Sequence, residues 1–159
     1  MSSTMSRTVR MGARRGAAAL LAGALAGLLS ACALLGGGDG AQMQGEWVLV
    51  AAEDPTGTFD LSPADVTLTV QGSALSGTAA CNQYGGTVTG GLDDSDERPV
   101  SVSDLFQTEM ACMGEGVMEL EARYLTALAA VESGLRLDDD TMALFGGGVR
   151  LEFALLVEG

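Results

Sequence analysis

The amino-acid sequence predicts an α+β domain, an antiparallel sheet or small barrel of about seven to eight strands with one amphipathic helix. Short segments that alternate apolar and polar residues, separated by Gly- and Asp-rich turns, indicate antiparallel strands. Residues 115–134 instead repeat apolar residues at spacings of 3 and 4, which is typical of a helix with one buried face. We expect this helix to pack against the sheet or to close one end of a barrel. Its apolar stripe comprises Val117, Leu120, Tyr124, Leu128 and Val131.

The first half of the domain contains three predicted strands. Residues 45–52 form the first, and a loop rich in proline, glycine and aspartate follows over residues 53–65. Residues 66–71, "VTLTVQ", alternate cleanly, and Gly72-Ser73 fits a two-residue hairpin turn. Residues 74–91 return as a single strand interrupted by glycines. The residues expected to face inward in the first two strands are Trp47, Leu49, Val66, Leu68 and Val70.

The second half contains a charged turn, an extended segment, the helix and three short strands. Residues 92–99 form the turn, and residues 100–112 run extended into a loop before the helix. Within the helix, Glu119 and Arg123 are spaced for an ion pair, and Gly134 is a plausible C-terminal stop. The closing strands are "LRLD", "TMALF" and "VRLEFALL", with Val149, Leu151, Phe153 and Leu155 on one face of the last.

The first 31 residues have the composition of an export signal. A basic segment precedes an apolar run of fourteen residues over positions 16–29. This run is shorter than the roughly twenty residues that a membrane-spanning helix needs. The basic residues are Arg7, Arg10, Arg14 and Arg15.

The sequence "LSAC" at residues 29–32 resembles the cleavage box of a bacterial lipoprotein signal. In that interpretation residues 1–31 are removed, and Cys32 carries acyl chains that hold the protein to a membrane on its exported side. More than one acyl chain gives stable anchoring. Residues 32–43 would then be the lipidated cysteine and a Gly-rich tether, and residues 44–157 the folded domain. The alternative is an ordinary secretory signal with an incidental Cys32.

The charge of the exported part excludes several function classes. Four arginines remain after residue 31 against 21 acidic residues, so the formal charge is −17. Such a domain should repel nucleic acid and anionic lipid headgroups. The chain contains no histidine and no lysine, which removes the commonest general base, metal ligand and Schiff-base nucleophile. We therefore expect no catalytic residues, no metal and no cofactor.

Cys81 and Cys112 allow three interpretations. Export places the domain in an oxidising compartment, and lipidation of Cys32 leaves these two as an even pair, which favours a disulfide. The loop it closes would contribute roughly 3.5 kcal/mol in the chain-entropy model. Two unpaired thiols or a reactive site are the alternatives. A metal site is disfavoured because two thiolates without histidine fall short of the usual zinc set.

Two short motifs surround these cysteines. The pattern G-x-x-x-C-N-x-[YF]-x-G is matched by Gly77, Cys81, Asn82, Tyr84 and Gly86. A second pattern, T-x-M-x-C, is matched by Thr108, Met110 and Cys112. With the helix and closing strands that follow, the sequence from Trp47 to about Phe153 resembles the META domain family, typified by HslJ-like bacterial lipoproteins. The resemblance implies an α+β fold and an envelope or stress-related setting, and it implies no established reaction or ligand. Gln83 and Glu109 stand where many members carry a basic residue.

The residue types of the first motif suit either a bent, cross-linked strand or a small binding site, and we favour the structural interpretation. Asn82 tolerates a left-handed backbone and can bond its own chain. Gly85 and Gly86 permit a bulge or a close backbone approach. Tyr84 combines an apolar ring with a polar tip.

We therefore expect a membrane-anchored, non-enzymatic lipoprotein with a binding or envelope-maintenance role under stress and an unknown protein or small-molecule partner. One alternative is a dedicated small-molecule or peptide-binding module, which would need a preformed apolar pocket. The other is an enzyme that uses thiols or carboxylates, which would need acidic residues converging in a cleft.

Overall fold

The computed structural model describes residues 41–156. The expected signal peptide, Cys32 and most of the tether therefore lie outside the described residues. No helix within the described range has the length and apolar character needed to cross a membrane. The elements are a short 3₁₀ helix, Ala41–Met43, then β1 Gly45–Asp54, β2 Gly57–Thr58, β3 Thr67–Gln71, β4 Ala74–Ala79, β5 Asn82–Gly90, β6 Arg98–Gln107, α1 Val117–Ala129, β7 Ser133–Asp138, β8 Thr141–Gly146 and β9 Val149–Leu155.

Eight of these strands form a closed antiparallel barrel. Each strand from β3 to β9 pairs with the next, and β1 pairs with both β3 and β9, which closes the ring. The remaining strand, β2, pairs only with the end of β1, through Glu53 and Asp54. The predicted α+β class, with a small barrel and one helix, is confirmed over residues 41–156.

The strand β1 pairs with β3 on one side and with β9 on the other, and it contains a bulge. Its register with β9 shifts between Leu49 and Ala51, so two residues of β1 oppose one residue of β9 at that point. Trp47, Leu49 and Ala52 are consequently all buried, whereas Val50 is 49% exposed. Trp47 lies in the core that fills the barrel, as its alternation with Leu49 predicts.

The segment predicted as a single strand over residues 74–91 contains two strands, β4 and β5. A two-residue turn, Ala80-Cys81, separates them, and Ala79 pairs with Asn82 across it. Ala80 has a φ of 68°, so the left-handed residue is Ala80 and not Asn82. Cys81 therefore lies in a turn, not in a bent strand. The sequence gives little sign of this turn, since alanine and cysteine are not typical turn residues.

The helix α1 closes one end of the barrel. It contacts β4, β6 and β9, which are not neighbours in the sheet, so it crosses the barrel end. All five residues of the predicted stripe are buried. The helix ends at Ala129, where the Ala130 N–H bonds the Ala127 carbonyl, so the predicted stop at Gly134 is wrong. Gly134 instead belongs to β7, where a side chain would meet Leu92 and Leu144.

Both ends of the described chain lie at the barrel end away from α1. Gln44 exchanges two hydrogen bonds with the backbone of Gly72 in the β3–β4 turn. Arg136 donates to the Gln42 carbonyl, and the Leu156 N–H donates to the Glu46 carbonyl. The β3–β4 turn is at the opposite end of β4 from the Ala80-Cys81 turn, which lies beside the helix.

Candidate functional site

The residues of the two sequence motifs meet at the helix-covered end of the barrel. The first motif spans β4, the Ala80-Cys81 turn and β5, and the second begins directly after β6. The Thr108 N–H donates to the Gln83 carbonyl (2.9 Å), and the Gln83 N–H donates to the Thr108 hydroxyl (3.2 Å). The segment after β6 is therefore held beside the start of β5.

Asn82 is the centre of this arrangement and is only 1% exposed. Its Oδ1 accepts hydrogen bonds from the Thr108 hydroxyl (2.8 Å) and the Met110 N–H (2.7 Å). Its Nδ2 donates to the Met110 carbonyl (3.1 Å) and to Glu121 Oε1 (2.9 Å). These four bonds use all the donor and acceptor capacity of the amide, so Asn82 acts as a structural clamp.

Glu121 completes the clamp and was missed by the sequence analysis. It is 3% exposed on α1, and its Oε2 accepts the backbone N–H of Asn82 at 2.6 Å. The burial of Glu121 can be inferred from the sequence, because its spacing places it on the buried helix face. The residues Val117, Glu121, Tyr124 and Leu128 are spaced by 4, 3 and 4. A glutamate within an apolar stripe indicates a buried polar partner.

Two tyrosines extend the polar network into the core. The hydroxyls of Tyr84 and Tyr124 lie 2.6 Å apart, and the Tyr84 hydroxyl donates to the Thr67 carbonyl at 2.8 Å. Tyr124 must therefore donate to Tyr84. The rings meet edge to face at 5.5 Å between centroids. Burial raises the pKa of Tyr84 and of Tyr124 above the usual value of 10.0.

The motif glycines allow close packing. A β-carbon at Gly77 would collide with the Thr67 carbonyl and would lie 2.9 Å from the ring of Tyr84. A β-carbon at Gly86 would lie 2.8 Å from the Ser103 carbonyl. Gly86 is opposite a bulge in β6, where Asp104 has a φ of 54°. The predicted close approach at Gly86 is therefore observed.

Cys81 and Cys112 form a disulfide, with 6.1 Å between their α-carbons. The bridge joins the Ala80-Cys81 turn to the loop that carries Thr108 and Met110. It therefore fastens the same loop that Asn82 holds by hydrogen bonds. It does not reach the helix directly, since α1 begins at Val117.

Arg123 connects the helix to the end of β1 and to the segment that follows it. It pairs with Asp54 at 2.9 Å, donates to the Gly57 carbonyl, and lies 4.0 Å above the ring of Phe59. The predicted pair with Glu119 is therefore wrong. The Arg123 and Thr56 hydrogen bonds hold the pKa of Asp54 well below its usual value.

A groove of about 920 Å³ runs between the end of β6 and the outer face of α1. We call it the β6–α1 groove. Leu105 and Phe106 form one wall, and Phe106 is 69% exposed. Met118, Leu125 and Thr126 of the helix form the other wall, and Glu121 and Glu109 also line the groove.

The groove exists because β6 and β7 separate. They pair only through Arg98 and Pro99, and the Val100 N–H adds one bond to the Glu132 carbonyl. Beyond Val100, β6 pairs with β5 on one side, and Leu105, Phe106 and Gln107 at its end line the groove on the other. The groove is thus bordered by a strand edge and by a helix face.

The cysteines and carboxylates do not gather into a metal centre in the described range. No group of three or more histidine, cysteine, aspartate or glutamate side chains within residues 41–156 is arranged to hold a metal ion.

A comparison with known protein families assigns this chain to a family. Residues 41–158 match the model of the META domain. The chain belongs to the META domain family. No curated protein matches the chain.

This META domain is similar to solved structures. One is the NMR structure of a protein from Burkholderia xenovorans, with 28% identity, a TM-score of 0.56, and coverage of 72% of this chain and 83% of that chain. Another NMR structure has 17% identity and a TM-score of 0.48, with coverage of 70% and 89%. In this META domain the two sequence motifs form the Asn82 clamp and its disulfide, and the β6–α1 groove lies beside them.

Proposed function

We propose that this META domain protein is an exported lipoprotein, anchored to a bacterial membrane through Cys32, with a non-enzymatic binding role in the envelope under stress. The observation that supports this proposal most directly is the position at which the described chain begins in the barrel. Gln44 lies at the barrel end opposite the helix, next to Gly72. A tether attached there would leave the helix-covered end and the β6–α1 groove free to meet a partner.

Export is supported by the disulfide and by the charge. A Cys81–Cys112 bridge persists in an oxidising compartment. The acidic domain, with a formal charge of −17 after residue 31, has no electrostatic attraction to anionic headgroups. A covalent lipid at Cys32 would supply the membrane attachment that the domain surface does not.

Binding is better supported than catalysis because the buried polar groups bond to one another. Asn82 and Glu121 form one set of hydrogen bonds, and Tyr84 and Tyr124 another. Both sulfurs of the cysteine pair are in the disulfide, which leaves a thiol-based mechanism without support. The accessible feature is the β6–α1 groove, which has the apolar walls of a binding site.

The anchoring part is tested by replacing the lipidation residue. Cys32→Ser should abolish labelling of the protein by a radioactive or clickable fatty acid and should release the domain from the membrane fraction. Cys81→Ser is the matched control, because it removes a cysteine without touching the proposed anchor. Labelling that persists in Cys32→Ser would refute lipidation at this residue.

The binding part is tested by mild crosslinking in native membranes followed by purification of the protein. Phe106→Glu changes the exposed groove wall, and Gln71→Glu changes an exposed residue at the other barrel end. The proposal predicts that Phe106→Glu loses crosslinked species that the wild type and Gln71→Glu retain. Identical species in all three proteins would contradict a binding role for the groove.

A further inference from the structure

We propose that the β6–α1 groove binds an extended segment of another protein, one that alternates apolar side chains with lysine or arginine. The backbone of this segment would pair with the free edge of β6, and its cationic side chains would approach Glu121 and Glu109. This inference rests on the proposed binding function and specifies the class of partner.

The edge of β6 provides backbone groups for such pairing. The Val88 N–H bonds the Ser73 carbonyl in the β3–β4 turn, on the side of β5 away from β6. Val88 and its partner Val102 are therefore not hydrogen-bonded to each other, and Val102 directs its backbone groups away from β5. The Thr108 N–H bonds β5, so Gln107 also directs its backbone groups outward. In the described part of the chain, no backbone hydrogen bond across this edge follows that of Val100. An unpaired edge of this kind accepts an extended peptide as an added strand.

The walls suit apolar side chains of varied shape. Phe106 is 69% exposed and Met118 42% exposed, and both border the groove. Met110 and Met113, at 52% and 99% exposed, lie in the loop between β6 and α1. Methionine side chains are flexible and polarisable, and they adapt to different apolar partners.

The charge of the groove specifies cationic side chains. Both oxygens of Glu121 accept hydrogen bonds from Asn82, and Glu121 and Glu109 line the groove. Within residues 41–156, Glu121 has no ion pair, since each arginine pairs with another acidic residue. Carboxylates that line a groove favour cationic over anionic side chains in a bound segment.

The same charge argues against other occupants. A second copy docked at its own β6 edge would bring Glu109 and Glu121 of each chain together, and each exported chain carries a formal charge of −17. Like charges brought into one interface cost several kcal/mol. Nucleic acid and anionic lipid are repelled for the same reason.

The test uses the full chain, purified in detergent, and a fluorescein-labelled nonapeptide of alternating lysine and valine. Fluorescence anisotropy should give a dissociation constant on the order of 100 μM or tighter, the range of transient recognition. A peptide with glutamate in place of lysine should not bind. A lysine–valine peptide with alternate backbone nitrogens methylated should bind at least about tenfold more weakly, a loss of roughly 1.4 kcal/mol.

Matched variants locate the site. Thr126→Arg places a cation in the groove and should weaken peptide binding at least about tenfold, or roughly 1.4 kcal/mol. Gln71→Arg adds the same charge at the opposite barrel end and should leave binding unchanged. Circular dichroism of each variant establishes that the fold is retained.

The inference is overturned if the lysine peptide does not bind, if the glutamate peptide binds equally well, or if Thr126→Arg has no effect. Sedimentation that shows a dimer lost in Thr126→Arg would identify a second copy as the occupant and would also overturn it. The proposed function fails separately, through unchanged crosslinked species in Phe106→Glu.

Discussion

Asn82 and Glu121 are joined at two points, although 39 residues separate them in the chain. The backbone N–H of Asn82 donates to one carboxylate oxygen at 2.6 Å, and its side-chain amide donates to the other at 2.9 Å. This contact connects the β4–β5 hairpin to the helix, and the remaining bonds of Asn82 connect the hairpin to the loop after β6. Three chain segments therefore depend on one buried amide.

The first prediction concerns this contact. Glu121→Gln replaces one acceptor oxygen by an NH₂ group that faces a donor of Asn82, so one buried donor loses its partner. The free energy of unfolding should fall by about 1–3 kcal/mol. Glu119→Gln, on the exposed side of the same helix, should change it by less than about 0.5 kcal/mol. Urea unfolding measures both, and equal effects would show that the Glu121 contact is not stabilising.

The second prediction concerns the disulfide. Cys81→Ser and Cys112→Ser should each lower the free energy of unfolding by about 2–5 kcal/mol. The double variant should lose no more than either single variant, because the same bond is removed. Intact-mass analysis after alkylation without reductant checks the bond itself. Two alkylated thiols at Cys81 and Cys112 in freshly isolated protein would show that the bridge is absent.

The third prediction concerns the helix stripe. Leu128 is fully buried, so Leu128→Ala should cost about 2–5 kcal/mol of unfolding free energy. Thr126→Ala, on the exposed face that borders the groove, should stay within about 0.5 kcal/mol. Urea melts of the two variants should therefore separate clearly, and overlapping melts would contradict the burial of the stripe.

The fourth prediction concerns alkaline pH. Burial raises the pKa of Tyr84 and Tyr124 above 10.0, so the phenols stay protonated in the folded protein after they ionise in the unfolded chain. The free energy that these two phenols contribute to folding has its full value below pH 10 and decreases as the pH rises above 10. The urea midpoint of the wild type should fall above pH 10, and Tyr124→Phe should reduce that pH dependence. An unchanged slope in Tyr124→Phe would contradict the assignment.

Local sequence patterns were sufficient for most elements of the barrel. Alternation in residues 66–71 identified β3 and its inward face, and the spacing of Val117 to Val131 identified the helix. These signals work because each residue's burial follows the period of its own element. The missed turn at Ala80-Cys81 has no such signal, since its φ of 68° falls on an alanine and the flanking β4 and β5 read as continuous.

The site was less predictable because its contacts join distant segments. The motifs predict Asn82, Tyr84, Thr108 and Met110 as site residues, but neither motif contains Glu121, the helix residue that bonds Asn82. Arg123 pairs with Asp54, 69 residues away, although a local partner was available in Glu119. The β6–α1 groove depends on the separation of β6 from β7, which is a property of the whole barrel and leaves no local pattern.

The proposed function requires a partner at the β6–α1 groove, at the barrel end opposite the point where the tether is attached. Site-specific photo-crosslinking in intact cells tests it most directly, with p-benzoylphenylalanine in place of either Phe106 or Gln71. A partner at the groove should give a discrete protein adduct from the Phe106 position and no such adduct from the Gln71 position. Adducts from Gln71 alone, or the same adducts from both positions, would contradict it.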